Sequence, residues 1–440
     1  MKDKADLAQL PSSKTFVKDL GGIPDIHFTP TLNSSQRLSP PDPNFEKGAA
    51  MKEFATIERV LLALLLAAGI SIPAFAQTTE VVTAGVDHPT KFIKGPGNTF
   101  LVSEAGTLEP NTGRVSVVDR TTGVRHTLIS GLPSGVDNLG GPPDQDGTTA
   151  IDLDGRVLFI ASGIGDGATN IGGSQYPTES PSSPLICSVM AVILPRHFES
   201  LNSEFVMTMK DQEDIAQRHW VRITNADGAS VFIVLAVDIP DYRPEPRPNA
   251  PNAVRTSHPF GLELVGPDLY ISDASYNELL KANLLSGSLT TVTAFPNRPN
   301  PLFGTIGGPF IEPVPDNVHR FGRKLLVPEL TGFPFIAGQS DVQSVDLWTG
   351  ERETVLTGLS SAMDVMPVAQ RFRRDGYYVL EFSTNQLANA PGRLRRIDAD
   401  GNSTVVVPVL PTPSSMVRDD RTGDIFVTNI FPGTITRVRF

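Results

Sequence analysis

Carboxylates and one carboxamide recur at the ends of short apolar segments, and they are the side chains in this sequence best suited to chemistry. The set is Glu104, Asp273, Glu329, Glu381 and Asn429. If they converge, the four carboxylates offer the hard oxygen ligands that Ca²⁺ prefers. Neighbouring carboxylates can also differ in pKa and act as acid and base. The alternative is a structural role, because polar residues at strand ends commonly hydrogen-bond nearby backbone groups.

Two histidines share a second repeated position, in which a His-Pro pair precedes an apolar segment. They are His88 and His258. An imidazole there could serve as a base or a metal ligand, and it could equally be an ordinary turn residue. The single cysteine, Cys187, allows no internal disulfide. The motifs GxSxG, HExxH, CxxC and a phosphate-binding glycine loop do not occur, which disfavours classical hydrolases, zinc enzymes and nucleotide-binding proteins.

The elements that must position these side chains form a repeat. One type of segment is short, apolar and mostly ends on a polar residue, and it occurs six times, at residues 100–104, 158–162, 269–273, 325–329, 377–381 and 425–429. A second type reaches an Asp or Asn shortly before a Gly, at residues 114–119, 220–225, 279–283, 342–346 and 393–398. Asx residues begin tight turns, and Gly supplies the positive φ that a hairpin requires. Four short antiparallel strands in each of six units predict an all-β, six-bladed β-propeller.

The two ends of the repeat predict how it closes. The sixth unit stops at residues 434–440, which correspond to a third strand, so its fourth strand is missing. Residues 81–86 precede the first unit and are similar to the fourth strand of another unit, at residues 354–359. We therefore expect the N-terminal strand to pair with the C-terminal blade, which would remove an exposed sheet edge.

Three connections are much longer than the others: an insertion at about residues 163–219 in the second unit, and residues 240–252 and 296–315 between units. Blade geometry places all three on one face, and insertions gathered on one face of a repeat protein usually mark its binding face. We expect a small molecule or an envelope protein to bind there. Candidates for an exposed apolar patch are Phe303, Phe310, Phe333 and Phe335, with core packing as the alternative.

The N-terminal part of the chain reads as an export signal. Residues 51–76 contain basic residues, a short apolar run from residue 60 to 70 and a small-x-small cleavage sequence before Gln77. Residues 1–50 have no apolar period and are interpreted as disordered or as an upstream segment that is not part of the gene product. Residues 77–440 would then form the propeller, secreted or periplasmic and without a stable membrane span. The rival interpretation is a cytoplasmic tail followed by an uncleaved anchor.

Charge excludes one class of partner. The chain has 37 Lys and Arg against 48 Asp and Glu, a formal net charge of −11. Nucleic-acid binding needs an excess of basic residues to neutralise phosphates, so no nucleic acid is expected as a partner.

Residues 329–335 (ELTGFPF) resemble the ScyD/ScyE family of bacterial β-propellers, which are related to NHL-repeat proteins. Residues 82–89, 258–262, 273–282 and 294–296 support the resemblance, which covers roughly residues 81–440 and departs at the long insertion of the second unit. It implies an envelope or secreted propeller and no established reaction. Two function hypotheses follow: a binding or accessory propeller, and a calcium-dependent hydrolase or lactonase of the six-bladed type that uses Glu104, Asp273, Glu329 and Glu381 as metal ligands.

Overall fold

The computed structural model describes residues 77–139, 143–370 and 373–440. The upstream segment at 1–50 and the signal peptide at 51–76 lie outside the described residues. Regular structure in the described ranges is almost entirely β, with one α-helix, α1 (Met209–Ala216), and two short 3₁₀ turns, Phe198–Ser200 and Gln386–Ala388. None of the helices in these ranges is long and apolar enough to cross a membrane.

The strands follow one another mainly as hairpins. The first are β1 (Thr78–Ala84), β2 (Pro89–Lys94), β3 (Thr99–Glu104), β4 (Gly113–Asp119), β5 (Arg125–Leu132), β6 (Gly135–Asp137), β7 (Asp144–Asp146), β8 (Thr148–Asp154) and β9 (Val157–Ser162). The next are β10 (Ala168–Ile171), β11 (Ser174–Pro177), β12 (Ser188–Ile193), β13 (Phe205–Val206), β14 (Val221–Thr224), β15 (Ser230–Asp238), β16 (Tyr242–Pro244) and β17 (Val254–Thr256).

The second half of the chain continues in the same way. It contains β18 (Pro259–Val265), β19 (Asp268–Asp273), β20 (Glu278–Asn283), β21 (Ser288–Ala294), β22 (Arg298–Pro299), β23 (Phe310–Ile311), β24 (His319–Phe321), β25 (Lys324–Pro328) and β26 (Ser340–Asp346). The last strands are β27 (Arg352–Leu359), β28 (Ala362–Gln370), β29 (Arg373–Glu381), β30 (Gly392–Asp398), β31 (Ser403–Leu410), β32 (Pro413–Arg418), β33 (Ile425–Asn429) and β34 (Thr434–Arg439).

Seven sheets of four or five strands are built from these elements, antiparallel except for the β5–β13 pair, and six of them follow one another along the chain. In chain order, sheet 1 is β2-β3-β4-β5-β13, sheet 2 is β8-β9-β12-β15-β14, sheet 3 is β18 to β21, sheet 4 is β24 to β27, sheet 5 is β28 to β31 and sheet 6 is β32-β33-β34-β1. The seventh is the four-stranded sheet β10-β11-β17-β16, and two-stranded sheets form from β6 and β7 and from β22 and β23. Repeated small antiparallel sheets are the building units of a β-propeller.

The outer hairpins turn as the Asx–Gly spacing predicts. After β4, the Oδ1 atom of Asp119 accepts hydrogen bonds from the backbone N–H groups of Thr121 and Thr122, at 2.9 and 2.7 Å. Gly123 then takes a φ of +70°, a conformation that L side chains rarely adopt. The carboxylate starts the turn and the glycine completes it, so that β5 can return alongside β4.

Hydrogen bonds join each sheet to the next one along the chain, and sheet 6 to sheet 1. The donors lie mostly on the first or second strand of a sheet, and the acceptors on its neighbour. The pairs are Thr90 to the Thr148 carbonyl, Thr149 to the Pro259 carbonyl, Ser272 to the Asp316 carbonyl, the Ala362 N–H to Ser340, the Met416 N–H to Asp364, and Ser414 to the Pro89 carbonyl. In four of the six pairs these bonds join the first strands of the two sheets, which therefore pack against one another.

The N-terminal strand β1 pairs with β34 at the edge of sheet 6, the pairing that the sequence predicts. The register is antiparallel and runs from Thr78 opposite Arg439 to Ala84 opposite Thr434, with an irregularity after Val81. Strands from opposite ends of the chain thus belong to one sheet, and β34 has a hydrogen-bonded partner on both sides.

In sheet 2 the predicted third strand, at residues 220–225, is wrong. That place belongs to β12, which pairs with β9 and β15, whereas β14 pairs with β15 alone and forms the edge. The insertion predicted at 163–219 is consequently divided between two connections. Its later part packs on sheet 1, where Phe205 and Ile215 share a buried cluster with Ile129. Periodicity does not identify the third strand here, because β12 is a short continuous apolar run, β14 alternates, and either pattern can form a strand.

Candidate functional site: the mouth cavity

Glu104, at the end of β3, is completely buried and bonded within sheet 1 and its preceding connection. Its Oε1 atom lies 3.0 Å from Nε of Arg125, and its Oε2 atom lies 2.9 Å from Nη2 of the same guanidinium. Ser116 donates a further hydrogen bond, and the backbone N–H of Asp87 donates at 2.7 Å. Burial raises the pKa of Glu104 above its ordinary value, and the charge of Arg125 opposes that shift.

Asp273 and Glu381 repeat this arrangement in sheets 3 and 5. Asp273 accepts a hydrogen bond from the backbone N–H of His258 at 3.0 Å, and Glu381 accepts one from the N–H of Ser360 at 2.7 Å. Glu381 also lies 3.1 Å from Nη1 of Arg395. Burial raises the pKa of Asp273. In each case the side chain at the strand end holds the connection that leads into the first strand of its sheet.

Glu329 and Asn429 also bond close to their own sheets. Glu329 forms an ion pair with Arg298 and accepts from Nε2 of Gln343 at 3.2 Å. The amide of Asn429 donates to Thr436 Oγ1 at 3.0 Å. One oxygen of each, Oε1 of Glu329 and Oδ1 of Asn429, has no hydrogen-bond partner within the part of the chain that the structure describes.

The four predicted metal ligands are thus engaged separately, each in its own repeat unit. Across residues 77–139, 143–370 and 373–440, no group of three or more His, Cys, Asp or Glu side chains is arranged to hold a metal ion. The geometry agrees with the structural alternative stated for these side chains. Calcium binding by them is the alternative hypothesis, and its test is given in the Discussion.

A cavity of about 210 Å³ lies where residues of all six sheets meet, and we call it the mouth cavity. Each sheet contributes at least one wall residue, either from its first strand or from the segment that follows its second strand, and examples are Ala105, Thr149, Phe260, Leu330, Met363 and Ile430. Of the seven side chains predicted as site residues, only His88 and His258 line it. The first strands and strand ends position this site, but the strand-end acids point elsewhere.

His258 is paired with Asp146, which lies on the hairpin of β6 and β7. Its Nε2 atom is 3.2 Å from Oδ1 of Asp146, and the other carboxylate oxygen accepts from the backbone N–H of Gly165 at 2.8 Å. Burial alone would lower the pKa of His258, but the charge and hydrogen bond of Asp146 raise it to about 9. Burial opposes ionisation of Asp146, yet His258 holds the pKa of that carboxyl below its ordinary value. At neutral pH the pair is an imidazolium and a carboxylate.

Two further carboxyl groups of the same hairpin line the cavity. Burial and the charge of Asp146 raise the pKa of Asp137 to about 6. Asp144 lies 3.6 Å from Nε2 of His88, whose Nδ1 atom donates to the Gly106 carbonyl at 3.1 Å. The cavity therefore holds three carboxyl groups and two imidazoles.

Between Asp144 and Asp146 the side chain of Gln145 is buried, with 7% of its surface exposed. Its Oε1 atom has no hydrogen-bond partner among the described parts of the chain, although the residue lines the cavity. A buried acceptor without a donor is costly, and the residue that carries it lines the cavity. Much of the remaining wall is apolar and includes the rings of Phe260, Phe382 and Phe431.

The sequence reasoning did not identify the β6–β7 hairpin. A signal exists: three aspartates occur in the connection that leads from sheet 1 into sheet 2, just before β8. The corresponding connections before β2 and β18 carry His88 and His258. The contact between Asp146 and His258 spans 112 residues of sequence, so no local pattern reveals it.

Three of the four candidate rings for an apolar patch are exposed, two of them in the long connection at residues 296–315 and one between β25 and β26. Phe303, Phe310 and Phe333 are 64%, 58% and 51% exposed, and Phe335 is partly buried. The rings of Phe333 and Phe335 meet edge to face, with 5.9 Å between their centroids. Both residues follow Leu330 in the connection between β25 and β26.

Cys187 is unsuited to nucleophilic chemistry. It is completely buried, and its Sγ atom lies 3.3 Å from the carbonyl oxygen of Ser257. Burial raises the pKa of this thiol well above its ordinary value, which suppresses the reactive thiolate. The cysteine therefore belongs to the packed interior near β12.

No protein-family model matches the chain, and no curated protein matches it, so the ScyD/ScyE resemblance is not confirmed. Similar solved structures include a catalytically inactive virginiamycin B lyase from Staphylococcus aureus, with 11% identity, a TM-score of 0.42 and coverage of 83% of this chain and 99% of that one. Auxiliary nutrient binding proteins from Bacteroides ovatus and Bacteroides thetaiotaomicron have 8% and 9% identity, TM-scores of 0.44, and coverage of 82% of this chain and 76% of theirs. Similarities this distant assign no activity.

Proposed function

We propose that this protein is an exported envelope β-propeller that binds a small molecule in the mouth cavity. The observation that carries the proposal is the convergence of wall residues from all six sheets on one cavity that has both charged and apolar walls. Small-molecule sites are usually concave and largely apolar, with a few polar groups that fix the orientation of the ligand. The mouth cavity has this composition.

The proposed architecture is a six-bladed propeller in which each of the six sheets is a blade. The succession of inter-sheet hydrogen bonds from Thr90 through to Ser414 supports it, as does the pairing of β1 with β34. Such an arrangement brings first strands together around an axis and places the segments after second strands at one end. A ligand at that end would contact every blade.

Export and family membership rest on the sequence. The signal-like segment at residues 51–76 supports secretion or a periplasmic location. The segment ELTGFPF at residues 329–335 supports relationship to ScyD/ScyE propellers, and Leu330 within it lines the mouth cavity. A binding or accessory role is consistent with that resemblance, which implies no established reaction.

Catalysis is less well supported by the same side chains. A metal-dependent hydrolase would need carboxylate oxygens free at the cavity, whereas Glu104, Asp273 and Glu381 accept hydrogen bonds from their own units. A pKa of about 9 keeps His258 protonated at neutral pH, so it is poorly suited to accept a proton from a substrate. A histidine that stays protonated near neutral pH is suited to the recognition of a ligand.

A fragment screen by ligand-observed NMR tests the proposal. Leu330→Trp should fill part of the cavity and abolish binding of the fragments that bind the wild-type protein there. Leu285→Trp adds the same side chain at a position that is 55% exposed on the β20–β21 turn, and it should leave binding unchanged. If no fragment distinguishes Leu330→Trp from the wild type and from Leu285→Trp, the mouth cavity is not a binding site.

A further inference from the structure

We infer that the ligand of the mouth cavity carries a protonated amine beside an apolar, ring-sized body. The inference rests on the proposed function and specifies the chemical class of the ligand. It follows from three features of the cavity: an excess of carboxyl groups, a buried acceptor without a donor, and aromatic walls next to both.

The charges in the cavity do not balance within the protein. Asp146 is paired with His258 at 3.2 Å, and Asp144 faces His88 at 3.6 Å. Asp137 accepts a hydrogen bond from the backbone N–H of Leu139 and, among the described residues, has no ion-pair partner of its own. A cation inside the cavity would supply that partner, and an anion would be repelled by the carboxylates.

Gln145 adds an independent requirement for a hydrogen-bond donor. Its Oε1 atom is buried beside Asp144 and Asp146 and receives no hydrogen bond from any described residue. A primary ammonium group has three N–H donors and can serve a carboxylate and a carboxamide oxygen together. A metal ion is a weaker candidate, since no described group of three His, Cys, Asp or Glu residues is arranged to hold one.

The aromatic walls are the reason for inferring an apolar, ring-sized body in the ligand. Phe260, Phe382 and Phe431 line the same cavity, and Leu330 and Met363 add aliphatic surface. Burial of apolar ligand surface against this wall favours binding, and aromatic faces also attract cations. A ligand with an amine at one end and a ring at the other would use both parts of the site.

Three probes with the same phenyl skeleton and different charge test the inference by isothermal titration calorimetry: 2-phenylethylamine, 2-phenylethanol and phenylacetate. We expect the amine to bind at least about tenfold more tightly than the other two, as a charge-assisted hydrogen bond allows. Asp137→Asn keeps an oxygen that can accept the hydrogen bond from the Leu139 N–H. It should weaken the affinity for the amine by about tenfold. Asp400→Asn removes the same charge from an exposed turn and should have no effect.

The results of the titrations and of the fragment screen distinguish failure of the inference from failure of the proposed function. Binding of the alcohol or the carboxylate as tight as that of the amine overturns the inference, and so does an amine that does not bind. Loss of amine affinity in Asp400→Asn equal to that in Asp137→Asn also overturns it, because the effect would then be one of net charge. In each of these cases the proposed function survives if the fragment screen still identifies ligands lost in Leu330→Trp.

Discussion

Arg125 on β5 reaches across sheet 1 and holds both carboxylate oxygens of Glu104 on β3, at 3.0 and 2.9 Å. The carboxylate is completely buried and the guanidinium is one-fifth exposed. A bidentate pair of this kind fixes the spacing of three neighbouring strands. It also explains why a side chain that recurs at strand ends does not reach the mouth cavity.

Arg125→Met should lower the free energy of unfolding by about 3 kcal/mol, because it leaves a buried carboxylate without its counter-ion. Arg114→Met is the matched control. Arg114 pairs with the partly exposed Asp87, and its loss should cost less than about 1 kcal/mol. Urea unfolding followed by circular dichroism measures both. Equal effects of the two substitutions would show that the Glu104 pair has no special structural role.

The ion pair between His258 and Asp146 should make stability depend on pH. The pKa of His258 is raised from its ordinary 6.5 to about 9, so its contribution is complete below pH 6.5 and is lost as the pH rises through 9. The difference in unfolding free energy between the wild type and His258→Gln should therefore shrink between these values. A difference that stays constant from pH 6 to about 9.5 would contradict the assigned ion pair.

Removing strand β1 should destroy the fold of sheet 6. A chain that begins at Pro89 exposes the edge of β34, and exposed edges pair with other molecules. We expect this chain to aggregate or melt at much lower temperature than one that begins at Gln77, as seen by size-exclusion chromatography and calorimetry. A monomeric product with an unchanged melting temperature would refute the role of β1 in closure.

Calcium should leave the melting temperature unchanged relative to a chelator, because the carboxylates of Glu104, Asp273 and Glu381 already accept hydrogen bonds from protein donors. An ion bound only by the native state would add RT ln(1 + [L]/Kd), about 2.7 kcal/mol at a hundredfold excess over Kd. Magnesium controls for ionic strength. A clear increase with calcium that disappears in Glu329→Gln would instead support the metal-dependent hydrolase.

The mature protein should begin near Gln77. The apolar run and the small-x-small sequence of residues 51–76 are typical of a cleaved signal peptide. N-terminal sequencing of secreted material tests this directly, with the cell-associated fraction as the control. A secreted product that retains residues 1–50 would contradict the signal-peptide interpretation.

Local patterns in the sequence were sufficient to predict much of the fold. The strand-end positions, the Asx–Gly hairpins and the pairing of β1 with β34 all depend on residues close together in sequence or on counting repeats. Sheet 2 is the exception. There β12 is a short apolar run and β14 a short alternating segment, and only the pairing with β9 shows which of them is the third strand.

The functional site depended on long-range proximity. Counting the repeats shows that Glu104, Asp273 and Glu381 recur at one position, but it does not show which way their side chains face. Tertiary structure turned them toward arginines and connection backbones, because a buried charge is stable only beside donors. It also brought Asp146 to within 3.2 Å of His258 across 112 residues of chain, a contact that only the packing of sheets against one another can produce.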